Sequence, residues 1–460
     1  MAAQQQVAAP LATLEKPLPR ADVAFERLRR DLMPGGALFA SRRLIEADLA
    51  DRLDMSRTPV REALHRLALI GILEAAPGGG YVPRRFTRRE IRDQYELRIL
   101  LEPLAAESAA ALSDDVRLPA LVDSTDLVTN EVSAEANTRF HKAIGHLGGN
   151  RSLARIIDQA VDRLSREGVH ARGSTQDQRR LAEGHDTVVQ AIRLGDRPGA
   201  AMAMQAHLRL ALDILMLSMS GGQAREASGV PAADGGDGSP RERLGEGAYV
   251  ELRNAILGGR LAPGAVLSET SVAAALRVSR TPTRYALRRL EAEGYIDRDE
   301  RGRLAVHRLS RQELAELFAI RRSVETDAAR RAAQHVSLDE LDRLDEYLSA
   351  DLMALRSGDV EALERLNEQI HAAVLRASRS RSLVLVAGDV RERVYGFGFS
   401  AFALGGRTDR RKFVEEHAAM VRAIHDADGD AAAGIVGDHL ARAEHLLQAD
   451  FDRYDAGVAL

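Results

Sequence analysis

The chain has 460 residues, 45% of them apolar and 29% charged, with a formal net charge of −4. That length predicts more than one folded core, and the charge excludes a polycation that holds nucleic acid by bulk electrostatics. There is no Cys, which excludes a disulfide scaffold, a thiolate zinc site and a thiol nucleophile. Aromatics are only 4%, and Ala, Leu, Arg and Glu dominate, so the expected fold is mainly α.

Residues 1–20, MAAQQQVAAPLATLEKPLPR, lack the basic start and continuous apolar run of a signal peptide and are expected to be a disordered tail. No stretch approaches the roughly 18 uncharged apolar residues of a membrane span, so no membrane and a cytoplasmic location are expected.

Over residues 21–86, "LIEADLADRLDM" supplies a short amphipathic helix, and after a turn "SRTPVREALHRL" supplies a second. Ser56 or Thr58 can cap that second helix, and Pro59 is tolerated in its first turn. Val60, Ala63, Leu64 and Leu67 recur at i, i+3, i+4 and i+7, one buried stripe. Arg57, Arg61 and His65 follow another face at four-residue spacing. "ILEAAPGGGYVPR" then reads as two short strands around a turn. Two short helices, the second with a basic outer face, followed by a hairpin, fit a winged helix-turn-helix. In that fold the second helix enters the major groove. Arg57, Thr58, Arg61 and His65 are the candidate DNA contacts.

Residues 87–219 repeat apolar positions at three- and four-residue spacing, as in "REIRDQYELRILLEPLAAESAAAL", and predict an all-α bundle. Asn137 and His141 share one helix face at i, i+4. His185 and His207 each lie on a helix of their own. Imidazoles converging from several helices hold Zn²⁺ or a similar divalent ion. Asn137 would be a neutral ligand in such a site. Arg98 opens an R-x-x-x-E pattern with Glu102, and Arg163 lies 22 residues after His141. Either guanidinium could clamp a carboxylate beside the metal, or pair with a nearby Glu such as Glu102.

Residues 220–246, rich in Gly, Ala, Ser, Asp and Pro, read as a flexible linker. Beyond them the whole pattern returns: Ser56 recurs as Ser279, 223 positions on, in "SRTPTRYALRRL". Residues 247–308 are expected to be a second winged helix-turn-helix, with Arg280, Thr281, Arg284 and Arg288 facing DNA. Residues 309–452 are expected to be a second bundle, with Asn367, His371, His417 and His439 as metal ligands and Arg321 and Arg393 as ligand contacts. The chain is therefore two copies of one unit of about 200 residues, too long a period for a solenoid.

"LADRLDMSRTPVREALHRLALIGIL" closely resembles the DNA-binding module of GntR-superfamily bacterial transcription regulators, and the helical portions resemble the FCD domain of the FadR branch. The resemblance covers nearly the whole chain except the tail and the linker. It implies a double-stranded operator, a small organic-acid effector and a metal in each FCD-like domain. Zinc is the first expectation, with nickel or manganese as alternatives. It also implies dimerisation through the helical domains, here as an internal pseudo-dimer, and a role such as repressor. Unit two departs from the family pattern at Thr283 and Tyr285, and its hairpin carries Arg301 and Arg303 where unit one has Gly78, Gly79 and Gly80. Two alternatives stand beside this expectation. One is a degenerate tandem in which one unit serves only as a dimerisation partner. The other is a metal-dependent enzyme, disfavoured because no Glu or Asp has the spacing of a general base.

Overall fold

The computed structural model describes residues 20–33, 36–38, 41–69, 71–76, 79–112, 134–165, 174–219, 240–299, 301–396, 401–449 and 451. The expected tail up to residue 19, linker residues 220–239 and Gly78 lie outside the described residues. The chain divides into a first compact unit ending at Arg85 and a second built from Phe86 onward.

The first unit is a winged helix. Helices α1 (Arg20–Leu32), α2 (Glu46–Leu53) and α3 (Arg57–Leu69) precede strands β1 (Leu73–Ala75) and β2 (Tyr81–Pro83), which pair antiparallel with Leu73 opposite Pro83. Each residue of the apolar stripe Val60, Ala63, Leu64 and Leu67 is at most 1% exposed. The stripe packs in one core with Leu28, Leu32, Leu49 and Ile72. The turn between α2 and α3 passes through Asp54 at φ 52°, a left-handed conformation that a short polar side chain tolerates better than a branched one. Leu44 bridges to Tyr81, adding a third extended segment that the sequence did not signal.

The second unit begins with a bundle of α4 (Arg88–Ala111), α5 (Ala134–Leu147), α6 (Arg151–Leu164), α7 (Thr175–Arg193) and α8 (Arg197–Ser218). Thr87 and Glu90 close a capping box at the start of α4, satisfying two of the helix's orphan N–H groups. Helix α8 is long and apolar enough to cross a membrane by length and composition. It buries Ala200, Met204, Leu208, Ala211 and Leu215 in the bundle.

A second winged helix follows: α9 (Pro240–Leu257), β3 (Val266–Leu267), α10 (Glu269–Leu276), α11 (Arg280–Ala292), β4 (Ile296–Arg298) and β5 (Leu304–Val306). Its sheet has the order β3-β5-β4. Helix α9 starts inside the stretch read as linker, whose end at 246 is thereby corrected: Pro at the first helical position and the buried apolar residues Ala248, Tyr249 and Leu252 outweigh two glycines. Arg277, at φ 55°, repeats the Asp54 turn.

The second bundle comprises α12 (Arg311–His335), α13 (Leu338–Ser357), α14 (Val360–Ala377), α15 (Arg381–Gly396), the short α16 (Ala401–Leu404), α17 (Arg407–His425) and α18 (Gly429–Ala449). Ser310 and Glu313 cap α12 as Thr87 and Glu90 cap α4. The two bundles touch along α4, α6, α12 and α15. Asp93 accepts the N–H and hydroxyl of Ser382 at 2.9 and 2.5 Å, and Glu316 accepts the backbone N–H of Arg151. Ser323 donates to the carbonyl of Leu100 at 3.2 Å. Ion pairs join Arg331 to Glu96 at 2.6 Å and Arg155 to Asp389 at 2.7 Å.

Candidate functional site

Both histidine trios assemble. His141 on α5, His185 on α7 and His207 on α8 are 1%, 2% and 3% exposed, and each offers a ring nitrogen within 4.8 Å of the others. His371 on α14, His417 on α17 and His439 on α18 form the matching cluster in the second bundle. Asn367 is buried beside its trio and brings Oδ1 to 3.2 Å from His417 Nε2. Asn137 lies on the His141 helix and is half-buried.

What the sequence missed is the support behind the imidazoles. In the second cluster two Nδ1 atoms hydrogen-bond a carboxylate, His371 on Glu325 at 2.7 Å and His417 on Asp351 at 2.8 Å, while His439 Nδ1 is buried 3.3 Å from Glu416 without a hydrogen bond to it. A ring that donates Nδ1–H to a carboxylate keeps its lone pair on Nε2 and aims it the other way. His371 Nε2 and His439 Nε2 face each other at 3.2 Å. Burial pushes His371 down to about 4 and His439 down to about 3, so both rings are neutral near pH 7. Without a cation, one of these two nitrogens carries the proton that bonds it to the other; with both bare, three such donors and the Asn367 oxygen fit a divalent metal of the zinc class.

In the first cluster His141 has the same kind of support. His141 Nδ1 meets Glu102 at 2.6 Å, and Arg98 Nε donates to the same carboxylate. Burial alone would raise Glu102, but Arg98 and His141 outweigh it and bring it down to about 2. His185 stacks on Phe140, with ring centroids 3.9 Å apart. Gly184 occupies the position of Glu416, where a Cβ would sit 2.7 Å from His207 Nδ1. The space of the orienting acid is therefore taken by the imidazole itself.

Arg98 and Arg321 lie within these clusters, each bonded through Nε to the Glu four residues on. They are 4% and 2% exposed. Arg98 Nη2 is buried without an acceptor. Arg163 sits in the last turn of α6. Arg393 is not brought to its trio. Its guanidinium donates to the carbonyl of Glu293 and to Asp389 and stacks on Tyr295, fastening the second winged helix to the bundle. Arg391, two residues earlier, reaches the site instead. It is 4% exposed, pairs with Glu368 at 2.8 Å and leaves Nε without an acceptor. Tyr395 joins it, taking a hydrogen bond from Asn367.

On the winged helices, Arg57, Thr58 and Arg61 are exposed on α3 and His65 is half-exposed; Arg280, Thr281, Arg284 and Arg288 are exposed on α11. Arg61 is clasped by Glu46 through two hydrogen bonds of 2.7 Å, and Arg284 by Glu269 through two of 2.9 Å. The departures in unit two are absorbed internally. Thr283 is fully buried with its hydroxyl on the Ser279 carbonyl at 3.0 Å. Tyr285 lies against Gly245, where a Cβ would come within 2.9 Å of the ring.

A winged helix joined to an all-α domain with a buried polar centre, present twice, defines a DNA-binding regulator with a helical effector domain. Residues 20–82 and 244–306 match the family described as bacterial regulatory proteins, gntR family, and residues 93–210 and 316–442 match the FCD domain. The chain belongs to the GntR family of transcription regulators with FCD effector-binding domains, as a tandem duplication of both domains. Winged helices of this family bind DNA and FCD domains bind small-molecule effectors.

The chain is 29% identical over 149 residues to the uncharacterized HTH-type transcriptional regulator YdhC of Bacillus subtilis, covering 32% of this chain and 66% of YdhC. It is 28% identical over 180 residues to the Nta operon transcriptional regulator of Aminobacter aminovorans, covering 39% of this chain and 82% of that protein. The solved structure of E. coli McbR/YncC aligns at 22% identity with a TM-score of 0.39, covering 45% of this chain and 98% of that one.

Proposed function

We propose that the chain is a cytoplasmic regulator whose two winged helices read one operator and whose two bundles pair as an internal pseudo-dimer. Each bundle senses a small organic acid beside a divalent metal. The observation that carries this reading is the second cluster: three buried imidazoles with ring nitrogens within 4.8 Å of one another, two of them backed by carboxylates, next to a buried Arg391 N–H that lacks an acceptor.

His371, His417 and His439 with Asn367 would hold the metal in one bundle, and His141, His185 and His207 with Asn137 in the other. When bound, the metal supplies a positive centre for one carboxylate oxygen of the effector. Arg98 in the first bundle, and Arg321 and Arg391 in the second, then orient the acid by charge-assisted hydrogen bonds. Glu102 and Glu325 fix the imidazole tautomer, and the low exposure of both clusters excludes competing water.

The signal has a short route to DNA in unit two. Helix α12 carries Arg321 and Glu325, packs on the first bundle through Glu316 and Ser323, and is separated by four residues from strand β5 of the wing. An acid that favours one setting of α12 shifts the winged helix with it, and operator affinity changes by the same coupling free energy. On this reading the trios are sensors, not catalytic centres.

The test is a DNA-shift assay at fixed salt on protein purified without chelator, with metal measured by mass spectrometry and a panel of small acids added. One metal per trio and an acid-dependent shift abolished by chelator are expected. Protein that takes up no divalent metal, and whose DNA binding no acid changes, overturns the reading.

A further inference from the structure

The faces that join the two bundles make two kinds of contact. One kind is common to both halves. Asp93 of α4 caps the start of α15 through Ser382, and its counterpart 223 positions on, Glu316 of α12, caps the start of α6 through Arg151. Leu100 and Ser323 are counterparts of each other and touch, so each half meets the other at the same place in both sequences.

The other kind is not common. Glu96 of α4 pairs with Arg331 of α12, but the reciprocal positions are Ala319 and Ser108. Arg155 of α6 pairs with Asp389 of α15, where the reciprocal positions are Leu385 and Gln159. Gln94 donates to Ser382 at 2.5 Å, and its counterpart is Leu317.

We propose that these one-sided charges select the partner: the bundle-one face accepts the bundle-two face and rejects a second copy of itself, so the chain closes on itself. This rests on the reading of the bundles as an internal pseudo-dimer. If two first bundles met, the acid caps could form again. Glu96 would then face Ser108 and Arg155 would face Gln159, so two half-buried charges would lose their partners. If two second bundles met, Arg331 would face Ala319 and Asp389 would face Leu385. There each charge keeps only a neighbour on its own helix, Asp327 and Arg393. Stranding a desolvated charge costs more than its pairing returns, and this is how related surfaces are kept apart. The consequence for DNA is that every assembly carries one reader of each kind, and the operator has two different half-sites.

The full chain contains no Cys, so introduced thiols report pairing cleanly. In the otherwise unchanged chain, Leu100→Cys with Ser323→Cys should link within one chain, and Leu100→Cys alone should give no link between chains. Adding Glu96→Arg and Asp389→Arg puts like charges at both cross-contacts but leaves pairing between identical bundles free of repulsion. The chain-to-chain link of Leu100→Cys should then rise by at least ~10-fold, with light scattering moving towards twice the chain mass. Reversing the partners as well, with Arg155→Asp and Arg331→Glu, should restore the self-closed chain. If the doubly reversed chain keeps its circular dichroism and links between chains no more than before, the selection is refuted. If the Leu100→Cys/Ser323→Cys chain fails to link internally at the outset, the pseudo-dimer reading itself has failed.

Discussion

Asp351 is the sharpest place to test the second cluster. It is fully buried, and its carboxylate faces His417 Nδ1 at 2.8 Å. Asp351→Asn keeps the size and leaves an oxygen to accept the N–H, so the fold is retained, but the negative charge that strengthens Nε2 as a ligand is gone. Loss of an orienting carboxylate of this kind lowers metal affinity by about 10–100-fold, or about 1.4–2.7 kcal/mol. The assay is a competitive zinc titration of metal-free protein with a chromophoric chelator. Two binding steps are expected, and Asp351→Asn should weaken one and leave the other in place, because the His141 cluster is held by Glu102 and not by Asp351. Thermal unfolding at zero metal guards against misfolding. If both steps are unchanged in a folded variant, the reasoning from Nδ1 orientation to Nε2 ligation is wrong.

Arg391→Leu should remove the acid response of the second bundle while leaving its metal step intact, which a DNA-shift titration against the effector acid with parallel metal measurement checks. Arg61→Ala and Arg284→Ala should each lower operator affinity by about 10-fold in a DNA-shift assay at fixed salt; a variant with no loss identifies a unit that does not read DNA. His307 gives a pH test. Burial alone would lower it, but Asp297 and Glu313 outweigh that and raise it to about 9. Its contribution is therefore full below its unfolded value near 6.5 and is lost as pH rises through about 9. The melting temperature of the chain should fall between pH 7 and 10, with a part on the order of 2 kcal/mol missing in His307→Gln.

The elements that a sequence encodes locally were legible. The stripe from Val60 to Leu67 has one spacing and one physical reading, and it is the core of the first winged helix. The trios were legible because His is scarce here and recurs in register. Asp351 and Glu416 were not. The chain holds 68 acidic residues, and a carboxylate that reaches a ring from another helix leaves no spacing to read. The exchange of Arg393 for Arg391 has a geometric cause. Residues two apart on a helix point to nearly opposite sides, and counting from His371 does not say which side faces the cluster. The shared position of Arg163 and Arg393 suggested a common role, yet Arg393 holds the neighbouring winged helix. The start of α9 is not legible because the glycine-rich composition of the linker runs on into its first turns.

The clasps of Arg61 on Glu46 and Arg284 on Glu269 bear on how the protein searches a genome. If Arg61 and Arg284 read DNA, a guanidinium already satisfied by a carboxylate gains little from a passing phosphate, and the latched reader would travel lightly along unrelated sequence. Only a base edge that offers two acceptors in the right plane repays opening the latch. A pair of glutamates that add almost nothing to stability would thus set the dwell time on wrong sites, and do so twice in every chain.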